Sequence, residues 1–472
     1  MFIGMIYSLS KITGRYLHER SIPCRSFAKD PLKLAQILLS KICAELVAFL
    51  KKTITSYEFI QRHRQKSTDF CRQRKLPAHT LIVLLLSLLR GSYQKELDRF
   101  FNMLSRSEVP ERFVTKAALA KSRMKLKYQA FIELNHKFNQ FFEDNFNAKT
   151  WFGFRLLAAD GSTIRLPHTD NIKEHFGCWK PRQGRPSPMA RLSQLFDPLN
   201  KITVDAIISP KHIGERELAA NHFLRLMPND LILMDRGYPA WWLFALILSM
   251  NAHFCARISK KWKIIRAFLK SGEKQRLIYL PAPNSSVNTL CQMGLDRKPL
   301  KLRLIRIDNG DKTQILITSL IDARQYPYSI FSDLYHLRWP TEEDYKSMKS
   351  RIEIENFSGK SALSVYQDFH ARVLSKNIAS IFALPVNDML ATAETAPKRK
   401  HNYQVNFTHA LTKTRDLVPL LFQRSIKKIK LIMDALFELL AETIEPIRPG
   451  RRYPRNHRIS ARKYYLCYKP IA

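Results

Sequence analysis

The sequence has no apolar run long enough to cross a lipid bilayer. Its most apolar runs, 81–86 and 241–250, reach about half of the roughly 20 residues that a membrane-spanning helix needs, and both are typical of buried helices. Residues 1–11 lack the long apolar stretch and the small-residue cleavage site of a secretory signal. Neither a membrane protein nor a secreted protein is expected.

Cysteine is scarce and never clustered. The seven cysteines are an odd number without a close pair, at Cys24, Cys43, Cys71, Cys178, Cys255, Cys291 and Cys467. This distribution argues against a disulfide framework and against a zinc knuckle, both of which need closely spaced cysteines. It is typical of a protein of the reducing cytoplasm.

Acidic residues are few relative to basic ones. The chain has 78 Lys and Arg against 40 Asp and Glu, a formal net charge of +38 that extends from one end to the other. Because such an excess destabilises a compact state by self-repulsion, it indicates a polyanionic partner, nucleic acid before an acidic membrane. The 472 residues, 45% of them hydrophobic, suffice for two or three domains with a substantial core.

Residues 31–150 have apolar spacing of helical period, and residues 1–30 before them stay unassigned. Helices are predicted at 93–104 and 116–126, separated by a Pro-containing turn at 105–112, with Thr115 as the N-cap of the second helix. The basic side chains of this second segment are Lys116, Lys121, Arg123, Lys125 and Lys127. A helix-turn-helix bound to DNA and an ordinary solvated basic helix both explain the pattern, and we assign the region to DNA binding.

From residue 151 the pattern changes to strands. Strands are predicted at 155–160, 192–196, 202–208, 231–235 and 253–257, a hairpin turn at 197–200, and helices at 215–226 and 239–249. This order, β-β-β-α-β-α-β, is that of a ribonuclease-H-like core. In such a core a mixed α/β sheet is covered by helices on both faces, and residues 151–257 would form its first part.

The remainder divides into three segments. Residues 258–328 read as a β-rich insertion subdomain with strands at 301–307 and 313–318 around a turn at 308–311. Residues 329–385 are predicted to be helical, at 329–349 and 363–384, and to complete the core. Residues 386–472 form a helical basic C-terminal region, with basic residues at 398–400 and an Arg-rich stretch at 448–463.

Three acidic residues stand out by their setting. Asp160 and Asp235 end predicted strands and are each followed closely by glycine, where a carboxylate can point into a cleft, although such aspartates are also common turn formers. On a helix, Tyr335, Arg338, Glu342 and Lys349 fall within about 60° of one another. The alternative is a surface helix with favourable charge pairs. Pro340 is expected to bend this face.

Three carboxylates on one cleft suit metal-assisted phosphoryl transfer. Two Mg²⁺ ions roughly 4 Å apart can activate the attacking oxygen and stabilise the leaving oxygen in such a reaction. Mg²⁺ prefers carboxylate oxygens and keeps waters or phosphate at its other positions. The sequence has no cysteine and histidine cluster, which zinc would favour instead.

From about residue 70 to the C-terminus the chain resembles the DDE transposases of the IS4 insertion-sequence group. The mark of that family, Tyr-x2-Arg-x3-Glu-x6-Lys, begins here at Tyr335 and ends at Lys349 without a gap. Asp160 in Ala-Asp-Gly-Ser-Thr, Asp235 in Met-Asp-Arg-Gly-Tyr and the later segment 355–360 agree in order. The chain departs from the family at Pro340-Thr341, where longer side chains are usual, and in residues 1–30.

The resemblance implies a ribonuclease-H-like catalytic core with a β-rich insertion and a role for each motif residue. Asp160, Asp235 and Glu342 would be catalytic metal ligands for two Mg²⁺ ions, with Mn²⁺ as a substitute. Tyr335, Arg338 and Lys349 would bind DNA phosphates, Arg338 as a fork. Trp262, in the insertion, could hold a base flipped from the duplex or be an ordinary partly buried core aromatic.

The resemblance also implies cut-and-paste transposition in a bacterial cytoplasm, at the nucleoid. The partners would be double-stranded DNA, as terminal inverted repeats and target, and a second copy of the chain in a synaptic complex. A metal-dependent nuclease that cuts without joining would have the same carboxylates. A DNA-binding protein derived from a dead element would keep the basic surface and lose one acid, whereas all three are present.

Overall fold

The structure is a computed structural model that describes residues 31–105, 112–180, 186–309, 312–392 and 400–448. Outside these ranges lie residues 1–30, two of the three basic residues at 398–400 and nearly all of the Arg-rich stretch 448–463. The middles of the turns predicted at 105–112 and 308–311 also lie outside them. No helix in the described ranges is long and apolar enough to span a membrane.

The N-terminal region is helical, as predicted. Its helices are α1 (Pro31–Thr55), α2 (Tyr57–His63), α3 (Ala78–Leu86), α4 (Tyr93–Ser105), α5 (Lys116–Arg123) and α6 (Gln129–Asn145). Thr115 caps α5, because its side chain accepts a hydrogen bond from the backbone N–H of Ala118 at 3.3 Å. The predicted N-cap is therefore confirmed, and the helix ends at Arg123, three residues earlier than expected.

A mixed sheet follows. Its elements are β1 (Arg155–Arg165), α7 (Asp170–Phe176), β2 (Cys178–Trp179), β3 (Ser187–Asp197), β4 (Ile202–Ser209), α8 (Glu215–Phe223), β5 (Asp230–Met234), α9 (Trp241–Ser249), β6 (His253–Arg257), α10 (Lys263–Lys270), β7 (Gln275–Leu280), α11 (Val287–Met293), β8 (Leu300–Asn309) and β9 (Lys312–Thr318). The strand order is β2-β3-β1-β5-β6-β9-β8-β7, with β4 paired to β3. Strands β1, β5 and β6 run parallel, and the other pairs are antiparallel.

The predicted strands and hairpin are present, with one correction. Strand β1 does not end at Asp160 but continues to Arg165. Its parallel pairing with β5 stops at Ala159, whereas its antiparallel pairing with β3 runs to the end and keeps the chain extended. The segment predicted to be β-rich supplies β7–β9, which continue the same sheet through the β6–β9 pair. Its status as a subdomain stays a prediction.

Helices cover both faces of the sheet because its buried strands are apolar on both sides. Leu157 and Ile232 belong to an apolar cluster with Phe244 of α9, whose ring stacks on Phe254 at 4.3 Å. Leu156 and the other strand residues that face the opposite side of the sheet pack instead against Phe331 and Leu334. The mixed α/β fold class is thus confirmed.

The rest of the described chain is mainly helical. It comprises α12 (Phe331–His336), α13 (Trp339–Ser350), α14 (Ala362–Thr392), β10 (Tyr403–Val405), α15 (Phe407–Leu421), α16 (Ile426–Glu442) and β11 (Ile444–Pro446). The 31-residue α14 packs on the N-terminal helices and on the sheet. Its buried Arg372 donates hydrogen bonds to the carbonyl oxygens of Leu89, Ile354 and Asn356. This arginine therefore fastens the loop after α13 to the N-terminal region.

Candidate active site

Asp160 and Asp235 lie side by side at the edge of the sheet. The parallel register pairs Ala159 of β1 with Met234 of β5, so the two aspartates are the next residues on neighbouring strands. Side chains alternate between the two faces of a strand. By this alternation both aspartates fall on the face whose residues pack against α12. The structure thus brings the two predicted aspartates together, although Asp160 lies within a strand and not at its end.

Glu342 reaches the same place from α13. One guanidinium, that of Arg338, joins it to the sheet: Nη2 donates to Oε1 of Glu342 at 2.6 Å, and Nη1 lies 3.5 Å from Oδ2 of Asp160. Arg338 is only 7% exposed, which makes these charge-assisted contacts strong. Two predicted acids, Asp160 and Glu342, thus meet around the buried guanidinium of Arg338.

Asp235 is held by two further residues. The hydroxyl of Tyr335 donates to its Oδ1 at 3.3 Å, and Nη2 of Arg257 lies 2.6 Å from the same oxygen. Arg257 was not predicted. Arg257 ends β6, directly after Ala256, which pairs with Met234 of β5. Searching the end of this third strand for polar residues, as was done for the two aspartates, would have found it.

The helical segment predicted at 329–349 is present as two helices. Helix α12 ends at His336, and α13 begins at Trp339 with Pro340 in its first turn. Proline lacks an N–H and disfavours helix at the residue before it, so the chain turns where a bend was predicted. Lys349 lies further along α13 and donates to the hydroxyl of Ser162 at 2.8 Å.

The acids repel one another across the site. Burial raises the pKa of Asp160 to about 6, with further upward contributions from Glu342 and Asp235, against the N–H of Gly161 and Arg338, which lower it. Burial also acts to raise the pKa of Asp235. The backbone N–H of Arg236 and the guanidinium of Arg257 outweigh that effect and leave this pKa below its ordinary value.

The donor types fit a hard divalent cation, since Asp160, Asp235 and Glu342 are all carboxylates whose charges interact. In the described part of the chain, however, no group of three His, Cys, Asp or Glu side chains is arranged to hold a metal ion. Arg338 holds Asp160 and Glu342 as ion pairs in this arrangement.

The predicted DNA contacts on α5 divide into two groups. Lys116 and Lys121 are exposed. Arg123 is a correction: it is 3% exposed and cannot contact DNA in this conformation. Its guanidinium donates to Asp368 at 2.8 Å, to Gln367 at 2.9 Å and to other groups of this buried cluster. The spacing of basic residues could not reveal this role, because Asp368 lies 245 residues away.

Trp262 precedes α10 and is half-buried. It lines a cavity of about 830 Å³ between α9, α10 and the residues that follow β7. Trp241 and Trp242 also line it, together with the cations Arg216 and Lys263. The cavity is thus rich in aromatic rings and carries positive charge at two residues.

Comparison with known proteins gives a consistent result. Residues 151–378, which contain all three acids, match a family model described as transposase DDE domain. The chain is 24% identical over 303 residues to "Transposase InsG for insertion sequence element IS4" of Escherichia coli (strain K12), covering 61% of this chain and 65% of that protein. It is 22% identical over 202 residues to "Putative transposase InsZ" of the same organism, covering 41% and 64%. These matches span slightly less than two thirds of each relative.

The chain aligns with a piggyBac transposase in a cryo-EM structure of a synaptic complex with hairpin DNA, with a TM-score of 0.42 and 9% identity. The alignment covers 87% of this chain and 88% of that one.

Proposed function

We propose that this chain is an IS4-type DDE transposase, as the family-model match and the two relatives support, and that it catalyses cut-and-paste transposition of an insertion sequence. The observation that carries the proposal is the meeting of Asp160, Asp235 and Glu342 at one edge of the sheet, around Arg338. A DDE domain implies the use of divalent metal. We propose Mg²⁺, bound as two ions by these acids, with Mn²⁺ as a substitute.

The proposed reaction proceeds by successive phosphoryl transfers. Water attacks the phosphodiester at the element end and frees a 3′-hydroxyl, which attacks the opposite strand to make a hairpin. The hairpin is opened, and the 3′ end is joined to target DNA. When bound, the cations would activate the attacking oxygen and stabilise the leaving oxygen. The active form would be a homodimer on paired inverted repeats.

The basic side chains around the acids would position the DNA strand. Arg338 carries a planar fork that fits two phosphate oxygens, and it becomes available when it releases the carboxylates. Burial lowers the pKa of Lys349, whose ammonium lies beside Ser162 at the same edge. Tyr335 would complete the contact from α12. All three roles rest on the family motif and on this proximity.

We also propose that the catalytic sheet is ribonuclease-H-like. Supporting this is the order β4-β3-β1-β5-β6, in which an antiparallel three-strand unit continues into two parallel strands. Helices α8 and α9 separate the last three strands in sequence. Strand ends of such a sheet bring carboxylates together without a dedicated loop.

Lys116 and Lys121 are proposed to contact DNA phosphates. Each lysine that neutralises one phosphate contributes about 0.9 to the slope of log affinity against log salt concentration. Replacing both by Gln is therefore expected to weaken duplex binding and to reduce that slope by roughly 2. Fluorescence anisotropy at several salt concentrations measures it. An unchanged slope would favour the solvated basic helix.

Trp262 and its cavity are proposed to hold a flipped base, because aromatic stacking on a base is worth about 1–3 kcal/mol. Trp262→Ala should slow hairpin formation by roughly 10-fold to 100-fold and leave the first nick nearly unchanged. Tyr279→Ala is the control, since Tyr279 is an exposed aromatic of β7 that does not line the cavity. Single-turnover assays on denaturing gels separate the two steps. Equal slowing of both steps would indicate a structural role.

The proposed function is tested with purified protein, Mg²⁺ and a labelled duplex that carries the element's own end, together with a target plasmid. Cleavage followed by joined product is the expected result. Cleavage without joining would identify a nuclease of the same architecture. Binding without cleavage would identify a DNA-binding protein from a dead element.

A further inference from the structure

Two polar side chains, Glu215 and Tyr238, lie near the backbone that follows the acids, on the α8 side. Gly161 and Gly237 each lie within two residues of a catalytic aspartate. A methyl group built on Gly161 would lie 3.8 Å from Cδ of Glu215, and one built on Gly237 would lie 3.7 Å from Oε2 of the same residue. Glu215 is therefore a further carboxylate close to the backbone that follows both aspartates.

The hydroxyl of Tyr238 lies close to Gly161. It would lie 3.2 Å from the methyl group built on Gly161. The side chain is 3% exposed, and its hydroxyl has no hydrogen-bond partner among the described residues. Burial first, and then the charges of Asp160, Glu215 and Asp235, raise the pKa of Tyr238. Since buried hydroxyl groups are nearly always hydrogen-bonded, this one indicates an oxygen ligand that the protein itself does not supply.

Glu215 is held loosely enough to change partner. Its Oε1 pairs with Nη1 of Arg191 at 3.1 Å, and its side chain is 51% exposed, so water screens the pair. Its other oxygen, Oε2, faces Gly237. Glu215 is the first residue of α8.

We propose that Glu215 supplies a fourth carboxylate to the divalent-cation site and that the Tyr238 hydroxyl donates a hydrogen bond to a water molecule carried by the cation. This inference rests on the proposed function, because it extends the site of Asp160, Asp235 and Glu342. It adds Glu215 and Tyr238, on the α8 side, to the three acids of the motif. Carboxylate and water are the ligands that Mg²⁺ and Mn²⁺ prefer.

The test is Mn²⁺ binding to the full chain without DNA, followed by electron paramagnetic resonance. Glu215→Gln is expected to weaken Mn²⁺ binding at least 10-fold. The matched control is Glu273→Gln, which removes an exposed glutamate that also pairs with an arginine, Arg276, in a different part of the sheet. Asp235→Asn reports on the proposed function itself. Loss with Asp235→Asn but not with Glu215→Gln overturns only the inference, whereas no binding by the wild type overturns both.

Tyr238→Phe provides a second measurement, because it removes only the hydroxyl. Without cation its melting temperature is expected to equal or exceed that of the wild type, since an unpartnered buried hydroxyl is lost. With Mn²⁺ the cation-induced rise in melting temperature should shrink relative to the wild type. An equal loss of melting temperature with and without Mn²⁺ would show that the hydroxyl serves the protein alone and would overturn its role.

Discussion

Asp235→Asn and Glu342→Gln are each expected to lower the rate of DNA cleavage by about 10³-fold or more. A cation held by carboxylates stabilises the charge of a phosphoryl-transfer transition state by several kcal/mol, and each 1.36 kcal/mol is a factor of ten in rate. Both substitutions keep the shape of the side chain and remove its negative charge. DNA binding should persist, since the phosphate term depends on the basic surface.

The control for these variants is Glu343→Gln. Glu343 is the next residue on α13, and it pairs on the exposed side with Lys346 at 2.6 Å. It therefore reports the same change of charge in the same helix without touching the site, and its cleavage rate should equal that of the wild type. Single-turnover cleavage of the labelled element end provides the rates. Wild-type rates in Asp235→Asn would remove this carboxylate from the mechanism.

Arg338 gives the acids a defined arrangement before metal binds. Asp160 and Glu342 come from a strand and a helix that are 182 residues apart in sequence, and their charges repel. One buried guanidinium between them offsets that repulsion. The same residue is proposed to grip phosphate once a cation takes its place, so its two roles belong to successive states of one site.

The sequence predicted the acids because strand ends and helix spacing are local properties. Asp235 follows a short apolar strand, and Glu342 lies in a motif of fixed spacing, so neither required knowledge of distant contacts. The continuation of β1 past Asp160 depends on pairing with β3, which local pattern does not reveal. The burial of Arg123 depends in the same way on α14. Predictions failed where a partner far along the chain decides the outcome.

Two residues near the acids, Arg257 and Glu215, were not predicted, because contacts with distant parts of the chain decide their positions. Arg257 ends an ordinary apolar strand and becomes part of the site only because β6 lies next to β5. Glu215 begins a helix and reads as a common first-turn acid, which the macrodipole favours at any helix start. The fold places Arg257 beside Asp235 and places Glu215 near Gly161 and Gly237.

Lys376→Met is expected to destabilise the protein by about 3–5 kcal/mol, because it leaves a buried carboxylate without its cation. Lys376 is fully buried in α14, and its ammonium donates to both oxygens of Asp344 at 2.7 Å and to the hydroxyl of Thr203 at 2.6 Å. Asp344 lies on α13, two residues after Glu342. The pair therefore fastens α13, which carries Glu342, to α14 and β4.

Urea unfolding of the variant measures this effect, with Lys346→Met as the control. Lys346 pairs with Glu343 on the exposed side of the same helix, where such a pair is worth about 0–1 kcal/mol, so its loss should hardly change the midpoint. The double variant Lys376→Met with Asp344→Leu should recover most of the stability, since both charges are then removed together. Recovery of stability without cleavage would mean that the ion pair aligns Glu342. Equal effects of Lys376→Met and Lys346→Met would show instead that the buried pair does not hold α13.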